Sequence, residues 1–361
     1  MKIGIVGLPN AGKSSLFNAL TRAGAQAANY PFTTLEPNVA VVAVPDERLD
    51  QVAATVGADQ VIHEMIQFHD IAGLARGAHE GEGLGNQFLA NIRETDAILH
   101  VVRAHDDAQV VHPDGRIDPL ADVETVETEL LYADLDQAER RLERVTRQAR
   151  SLEKELVTEE RWLREVVEAL RAGRAVRTVP VPDGAPGAAV RLSALTSKPV
   201  LYVANVAEGE PVEPPPELVR HAADRDARAT AVSARLEAEL VELDDEDAAA
   251  MRADLGVEES GLVTVIREAF ELLHLITFFT AGPGTEARAR AIERGTRARQ
   301  AAGGVHTDME QGFVAAEVTF WEDLVRAGGY GPAREQALSR LEGRDYEVRD
   351  GDVVTFRFSP S

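Results

Sequence analysis

The sequence predicts an α/β fold, in which a parallel sheet is interrupted by a long helical arm and followed by a small mixed α+β unit. Three observations predict this arrangement. Short apolar runs suited to buried strands occur among helical patterns up to residue 103 and return after residue 198. Between them lies a sustained heptad pattern of apolar residues. After residue 275, further strand patterns surround a helix-like run.

The first strand pattern, residues 3–6, leads into Gly7-Leu8-Pro9-Asn10-Ala11-Gly12-Lys13-Ser14. This segment fits G-x-x-x-x-G-K-S/T, and residues 15–20 after it are typical of a helix. Glycines let the backbone N–H groups point at phosphate oxygens, and the helix N-terminus adds partial positive charge. The segment therefore predicts a P-loop, in which Lys13 reaches the β- and γ-phosphates and Ser14 coordinates Mg²⁺.

The composition is that of a globular protein of two or three domains, with 361 residues, a hydrophobic fraction of 44% and a charged fraction of 27%. There is no cysteine, which excludes disulfides and cysteine-ligated metal centres. The net charge of −23 argues against general affinity for nucleic acid or anionic membranes. No apolar run approaches the roughly 20 residues that span a bilayer, and no signal peptide precedes the first strand. We therefore expect a cytoplasmic protein without membrane association.

A polar loop after the first helix contains Asn29-Tyr30-Pro31-Phe32-Thr33-Thr34, before the next strand pattern at residues 38–44. This is the position of a nucleotide-sensing switch loop, in which a threonine hydroxyl joins Mg²⁺ only when the γ-phosphate is present. The residues alone leave Thr33 and Thr34 as alternatives for this role. A proline-containing surface turn explains the same segment equally well.

A strand pattern at residues 65–69 leads into Asp70-Ile71-Ala72-Gly73. Asp70 is predicted to hold a magnesium-bound water, and the Gly73 N–H to contact the γ-phosphate. Leu74 follows, where many GTPases carry the glutamine that orients the attacking water, and leucine cannot hydrogen-bond water. His79, in the glycine-rich run beyond, is the nearest side chain that could position water. An exposed loop histidine is the alternative.

The heptad pattern predicts a helical arm inserted into the nucleotide domain. Its apolar positions alternate at spacings of four and three: Leu131, Leu135, Ala138, Leu142, Val145, Ala149, Leu152 and Leu156. A shorter amphipathic helix is predicted over residues 159–172, so the arm is expected to be an antiparallel coiled coil. The arginines of the long helix form either a solvated face or a contact surface for RNA or protein: Arg140, Arg141, Arg144, Arg147 and Arg150.

Two later strand ends predict the base-recognition loops of a G-protein-like domain. Asn205-Val206-Ala207-Glu208 stands where such domains carry N-K-x-D, and Ser233-Ala234 where they carry S-A-K/L. The aspartate of N-K-x-D accepts hydrogen bonds from guanine donors that adenine lacks. Here Glu208 is one methylene longer and Val206 replaces the lysine, so guanine selectivity is expected to be weak.

The last region carries strand patterns at residues 276–280, 315–320 and 352–358, which predict a small α+β unit. We therefore predict three domains: a nucleotide domain of residues 1–125 and 198–274, an arm of residues 126–197, and a C-terminal domain of residues 275–361. A second basic cluster in the C-terminal domain predicts an RNA contact: Arg288, Arg290, Arg294, Arg297 and Arg299.

With these motifs in place, the chain resembles the Obg-like ATPases of the YchF family over nearly its whole length. The segments that carry the resemblance are Gly7–Ser15, Asn29–Thr34, Asp70–Leu74, Gly81–Asn91, Asn205–Glu208, Ala301–Asp308, Gly312–Val318 and Tyr346–Phe358. The last three look like that family's TGS domain, a β-grasp module. Leu74 is shared with the family, whereas Ala11 stands where valine is commonest.

The resemblance implies a P-loop protein that prefers ATP to GTP, hydrolyses it slowly with Mg²⁺ and binds ribosomes or other translation machinery. It implies Mg²⁺ ligation by Ser14 and Thr34, which favours Thr34 over Thr33, and adenine recognition by Asn205 and Val206. The phosphate contacts that it implies are Asn10, Ala11, Gly12, Lys13, Ser14 and Ser15.

Three functions follow as hypotheses. The first is an ATP-hydrolysing switch that binds ATP and ADP and presents the arm and the C-terminal domain to one or both ribosomal subunits. The second is an Obg-type GTPase, which performs the same reaction on a different base. The third is a nucleotide-gated binding module with incidental turnover, favoured by Leu74 and by the lack of an evident catalytic base.

Overall fold

The structure is a computed structural model of the chain, and it describes residues 1–27, 38–71, 84–106, 117–148, 153–257 and 259–359. The chain divides into two compact units. The first comprises Met1–Val42 with Ile66–Leu273, and the second comprises Ala43–Met65 with His274–Ser361. None of the helices in these described ranges combines the length and apolar character that a bilayer crossing requires.

The described strands are β1 Lys2–Val6, β2 Val39–Ala43, β3 Gln60–Ile62, β4 Met65–Asp70, β5 Ala97–Arg103, β6 Val200–Asn205, β7 Arg228–Val232, β8 Leu275–Ala281, β9 Glu286–Glu293, β10 Phe313–Phe320, β11 Arg340–Glu342 and β12 Asp352–Phe358. The described α-helices are α1 Lys13–Ala27, α2 Glu47–Val56, α3 Leu84–Arg93, α4 Pro119–Gln148, α5 Lys154–Arg171, α6 Ala188–Leu192, α7 Pro216–Ala223, α8 Ala234–Leu240, α9 Asp245–Asp254, α10 Gly261–Glu271, α11 Ala298–Val305, α12 Thr307–Gln311, α13 Trp321–Ala327 and α14 Tyr330–Glu335.

The first unit is organised on a sheet with the strand order β2-β4-β1-β5-β6-β7. β1 lies parallel to β4 and β5, and the parallel pairing continues from β5 through β6 to β7. β5 and β6 are buried along their whole length, as expected for central strands of a parallel sheet. The predicted α/β fold is therefore confirmed. The carboxyl ends of β1, β4 and β6 meet at one edge, where the predicted phosphate, magnesium and base motifs follow.

The arm consists of α4 and α5, which pack as an antiparallel pair. The heptad residues Ala138 and Val145 are fully buried in its core, together with Trp162, Leu163 and Val166 of α5. The apolar face of α5 confirms that the second helix is amphipathic, as the sequence predicted.

One detail of the predicted arm is wrong. The heptad was expected to continue through Leu156 on the long helix, but α4 ends at Gln148 and Leu156 belongs to α5, which begins at Lys154 rather than near residue 159. The N-cap of α5 is Glu153, whose side chain makes no capping hydrogen bond, so the sequence carries no start signal there. Ala149, Leu152 and Arg150 lie outside the described residues.

Buried carboxylates link the arm to the elements around it. Glu159 of α5 is fully buried and accepts hydrogen bonds from Arg141 of α4 and Arg191 of α6. Asp134 of α4, only 1% exposed, accepts from the backbone N–H groups of Leu195 and Thr196 at 2.8 and 2.7 Å. These contacts fix the base of the arm to the chain segment that returns to β6.

The second unit contains a mixed sheet with the order β11-β10-β12-β8-β9-β3. β10 is antiparallel to β11 and β12, β12 is parallel to β8, and β9 is antiparallel to β8 and parallel to β3. The predicted C-terminal mixed α+β module is confirmed. Residues 43–65, which the sequence assigned to the nucleotide domain, supply α2 and β3 to this compact unit. Leu49 and Val52 of α2 pack there against Phe279.

Candidate nucleotide-binding site

The P-loop connects β1 to α1 through backbone conformations that require glycine. Gly7 has φ 150° and Gly12 has φ 98°, both in the region that L side chains rarely adopt. A Cβ atom on Gly7 would lie 2.3 Å from the carbonyl oxygen of Val101, and one on Gly12 would lie 2.1 Å from Nδ2 of Asn205. The P-loop therefore packs closely against β5 and the last residue of β6, and only glycine fits at these two positions.

A cleft of about 1190 Å³ opens over the P-loop and the loop after β6. The predicted site residues that line it are Asn10, Gly12, Lys13, Ser14, Ser15, Asn205 and Val206. Ala11 and Ser233 are predicted site residues that are buried, each 3% exposed, and do not line the cleft. Thr34, Gly73, Leu74 and His79 lie outside the described residues.

Lys13 is buried at the floor of the cleft with 8% exposure. Its Nζ donates a hydrogen bond to the carbonyl oxygen of Leu8 at 2.8 Å, inside the P-loop. Burial lowers the pKa of the Lys13 ammonium, while the charge of Asp70 partly offsets that effect. The side chain is thus held at the start of α1, where backbone N–H groups and the helix dipole favour an anion.

Asp70 ends β4, and its backbone pairs with Ile5 of β1 directly before the P-loop. Burial raises the pKa of this carboxyl group, and the nearby charge of Lys13 opposes the rise. Among the described residues, its buried Oδ1 atom has no hydrogen-bond partner. An unsatisfied carboxylate oxygen beside a P-loop with an exposed Ser14 fits a Mg²⁺ ion, which prefers one or two protein oxygens with waters and substrate phosphates.

The described residues hold no cluster of three or more histidine or carboxylate side chains suited to a metal.

Asn205 lies at the end of β6 and joins the two halves of the cleft. Its Nδ2 donates a hydrogen bond to the carbonyl oxygen of Ala11 at 3.2 Å, and its Oδ1 accepts from the N–H of Ala234 at 3.1 Å. Val206 follows with 6% exposure, and its N–H donates to the carbonyl oxygen of Val232. The amide of Asn205 therefore connects the P-loop to the start of α8.

The mouth of the cleft carries charged residues that the sequence reasoning partly missed. Glu208, with 38% of its side chain exposed, lies 3.8 Å from Nε of Arg235, which also pairs with Glu239. Arg22 of α1 pairs with Glu242 across the same opening. These arginines gave no signal in the sequence, since isolated charged residues on helices are common on solvated surfaces.

Arg103 is a further cleft residue that the sequence reasoning missed. It ends β5 directly beside Asn205 in the sheet, is 2% exposed, and donates from Nε to the carbonyl oxygen of His105 at 3.0 Å. An arginine at the end of a mainly apolar strand pattern could have drawn attention, because arginine is seldom fully buried.

Comparisons with known proteins agree with this geometry. Residues 2–142 match the model of a family described as 50S ribosome-binding GTPase. Residues 275–359 match the model of the YchF-GTPase C-terminal family, whose description is a protein of unknown function.

The ribosome-binding ATPase YchF of Bacillus subtilis is 44% identical to this chain over 361 residues, which cover 99% of this chain and 98% of that protein. The protein of the same name from Haemophilus influenzae is 48% identical over 360 residues, covering 99% of each. The solved structure of the Schizosaccharomyces pombe YchF GTPase matches with a TM-score of 0.84 and 31% identity, over 99% of this chain and 97% of that one. Identity at this level along nearly the full length of both chains confirms the resemblance, and the chain belongs to the YchF family.

Proposed function

We propose that this chain is a Mg²⁺-dependent ATPase that acts as a nucleotide-controlled switch on the ribosome. The observation that carries the proposal is the single cleft lined by both the P-loop and the loop Asn205–Glu208. A phosphate site and a base site at the two ends of one cleft are what a nucleoside triphosphate requires. The relatives from Bacillus subtilis and Haemophilus influenzae carry the name ribosome-binding ATPase, which supports the choice of substrate and partner.

The roles of the phosphate-side residues follow from their positions. Lys13, buried beside the P-loop backbone, neutralises charge on the β- and γ-phosphates. Ser14 would coordinate Mg²⁺ and Asp70 would hold a magnesium-bound water, with Thr34 joining the ion from the switch loop. The ion supplies further neutralisation of phosphate charge. Gly73 donates its N–H to the γ-phosphate.

Hydrolysis is proposed to be slow because Leu74 cannot orient the attacking water. His79 is the proposed water-positioning residue. We expect His79→Ala to lower turnover while ATP affinity, measured by titration calorimetry, stays unchanged. Unchanged turnover would remove His79 from the mechanism.

The base preference rests on Val206 and Glu208. The buried side chain of Val206 offers apolar contact to adenine and guanine alike. Glu208 is one methylene longer than the aspartate by which N-K-x-D loops select guanine, so the same selection is not expected here. The competing proposal is a GTPase, since the family model of residues 2–142 and the Schizosaccharomyces pombe structure both carry that name. Titration calorimetry with ADP, ATP, GDP and GTP decides between them. Tighter binding of the guanine nucleotides would contradict the ATP assignment.

A binding module with incidental turnover is the third candidate, and Leu74 favours it. The test compares ribosome co-sedimentation of the wild type and of Lys13→Ala, with and without a non-hydrolysable ATP analogue. A switch requires that the analogue alters ribosome binding of the wild type and not of the variant. Equal co-sedimentation under all four conditions would favour the module.

The RNA contact is proposed for the basic cluster of β9 and α11 rather than for the arm. Arg140, Arg141 and Arg147 of the arm pair with acidic residues of α4 or α5, and Arg144 donates to the carbonyl oxygen of Arg140. In the second unit, Arg294 has no acidic partner within ion-pair distance among the described residues, although Arg288 and Arg297 do.

Charge reversal tests this contact. We expect Arg294→Glu to weaken ribosome co-sedimentation and to flatten its salt dependence. Arg326→Glu, on α13 of the same unit, is the matched control, because Arg326 is an exposed arginine outside the cluster. Equal effects of the two charge reversals would contradict the RNA contact and indicate that the cluster is an ordinary solvated surface.

A further inference from the structure

A cavity of about 270 Å³ lies in the first unit between the sheet, α4 and the segment that follows α5. Its lining residues are distinct from those of the nucleotide cleft. The body of the cavity is apolar, formed by Val6, Ile98, Val126, Leu130 and Val200. A cavity of about 150 Å³ with apolar walls is enough to bind benzene, so this one has room for an aromatic ring with short substituents.

The floor of the cavity contains a buried histidine whose hydrogen-bonding capacity is unused. His100 is 2% exposed, and its Nε2 atom has no hydrogen-bond partner among the described residues. Burial lowers the pKa of this imidazole to about 4, so it is neutral near pH 7. Buried polar atoms in proteins are nearly always hydrogen-bonded, because an unsatisfied one destabilises the fold.

The polar neighbours of His100 are already satisfied by one another. The hydroxyl of Tyr202 donates to Glu127, which also pairs with His221 Nε2 at 3.2 Å and with Arg225 Nε at 3.3 Å. The rings of His100 and Tyr202 lie 5.8 Å apart, which gives the floor an aromatic surface. His100 thus lines the cavity with a buried polar atom that has no partner among the described residues, and a neutral hydrogen-bonding group such as a hydroxyl suits it.

The rim of the cavity is rich in arginine. Arg174 is exposed there, and Arg177 is held by the carbonyl oxygens of Arg225 and Thr196 at 3.1 and 3.3 Å. Asp224 also lies on the rim, while the charge of Glu127 is taken up by its partners. The rim thus favours an anionic group on a ligand whose apolar part enters the cavity.

We propose that this cavity is a binding site for a small aromatic hydroxy acid. The ring lies in the apolar body, the hydroxyl group hydrogen-bonds His100 Nε2, and the carboxylate meets the arginines of the rim. Val6, in the wall of the cavity, directly precedes Gly7 of the P-loop, so an occupied cavity lies next to the nucleotide site.

The test uses the full chain and para-hydroxyphenylacetate as the probe, with binding measured by ligand-observed NMR and titration calorimetry. Two analogues each remove one group: phenylacetate lacks the hydroxyl, and para-ethylphenol lacks the carboxylate. We expect both analogues to bind about tenfold more weakly than the probe, which corresponds to about 1.4 kcal/mol for each lost contact. Equal affinity for all three compounds, or no binding of the probe, would overturn the proposal.

Variants locate the site. Ala175→Trp adds bulk in the lining and should abolish probe binding, whereas Val190→Trp, at a position that is 82% exposed and outside the lining, should not. His100→Phe should weaken binding of para-hydroxyphenylacetate about tenfold and leave phenylacetate unchanged. Thr178→Trp, also in the lining, replaces Ala175→Trp if that variant does not fold. Probe binding that survives the lining variants, or that saturating ADP displaces by competition, would contradict a site in this cavity.

Discussion

The side-chain amide of Asn205 donates a hydrogen bond to the carbonyl oxygen of Ala11 across 3.2 Å. The two residues are 194 positions apart in the chain, and the contact joins the base-side loop to the P-loop. Oδ1 of the same amide accepts from the N–H of Ala234. Asn205 therefore fixes the position of the P-loop relative to the start of α8. Nδ2 has a second N–H and Oδ1 a second lone pair, so a base could contact Asn205 while both of these backbone bonds remain.

The first prediction concerns this link. Asn205→Ala removes both hydrogen bonds and leaves the buried N–H of Ala234 without its acceptor. We expect affinity for ATP, ADP and GTP to fall together, by roughly tenfold or about 1.4 kcal/mol, because the change acts on the shape of the P-loop. Titration calorimetry with the three nucleotides measures it.

A matched variant sharpens this prediction. Asn205→Asp keeps an acceptor for Ala234 but places a carboxylate oxygen against the carbonyl oxygen of Ala11. It should therefore lose nucleotide affinity as Asn205→Ala does. A loss confined to ATP, with GTP affinity intact, would mean that Asn205 recognises the base rather than positioning the loop.

The second prediction concerns Glu208 at the mouth of the cleft. Glu208→Asp shortens the side chain by one methylene, withdraws it from Arg235 Nε, which lies 3.8 Å away, and restores the acid found in guanine-selective loops. We expect the ratio of GTP to ATP affinity to rise about fivefold, or roughly 1 kcal/mol. Competition binding with a fluorescent nucleotide gives the ratio directly.

Glu208→Gln is the control for the charge at this position. It keeps the length of the side chain and removes its charge, so the GTP to ATP ratio should not rise. An unchanged ratio in Glu208→Asp would show that position 208 does not set the base preference.

The third prediction concerns the arm. Glu159 is fully buried between Arg141 and Arg191, whose side chains are 21% and 36% exposed. Glu159→Gln leaves Arg141 without its counter-charge and Arg191 with only the exposed Glu155. We expect it to lower the free energy of unfolding by about 2 kcal/mol, less than for a fully buried pair because both arginines reach water. Urea unfolding followed by circular dichroism measures the change.

Glu155→Gln is the matched control, since Glu155 contacts the same Arg191 from one turn away but is 54% exposed. Its loss should cost less than about 1 kcal/mol, as is usual for exposed ion pairs. Comparable losses in the two variants would mean that the burial of Glu159 contributes little to the arm.

Local patterns were enough to predict the P-loop, the strands of the parallel sheet and the mixed C-terminal module. Gly7 and Gly12 belong to a motif in which glycine is required by the backbone conformation at fixed positions. A mainly apolar run such as β5 predicts a buried strand, because apolar side chains are stabilised by burial. The heptad likewise predicted the buried positions Ala138 and Val145 of the arm.

Contacts between distant segments could not be predicted in this way. β3, which has only three residues, pairs with β9 more than two hundred positions later in the chain, and nothing in Gln60–Ile62 indicates that partner. The break between α4 and α5 was predicted too late in the chain, because Leu156 continues the heptad spacing across the chain reversal. The roles of Asn205 and Arg103 depend on neighbours that only the folded sheet supplies.

The last prediction concerns the pH dependence of stability. The folded protein holds His100 with a pKa of about 4, against about 6.5 in the unfolded chain. Burial is the main cause, Lys13 and His221 lower the pKa further, and Glu127 opposes them. At pH values between these two, His100 is protonated in the unfolded chain and neutral in the folded chain. The free energy of unfolding therefore falls as the pH falls from about 6.5 toward 4.

At pH 5 the loss from this one group amounts to roughly 2 kcal/mol relative to pH 7.5. His100→Phe removes it, while every other titrating group is kept, so the difference between wild type and variant isolates the histidine. Urea unfolding at the two pH values should show the wild type losing about 2 kcal/mol more than the variant. Equal losses would mean that His100 gains a proton in the folded state, stabilised by the charge of Glu127.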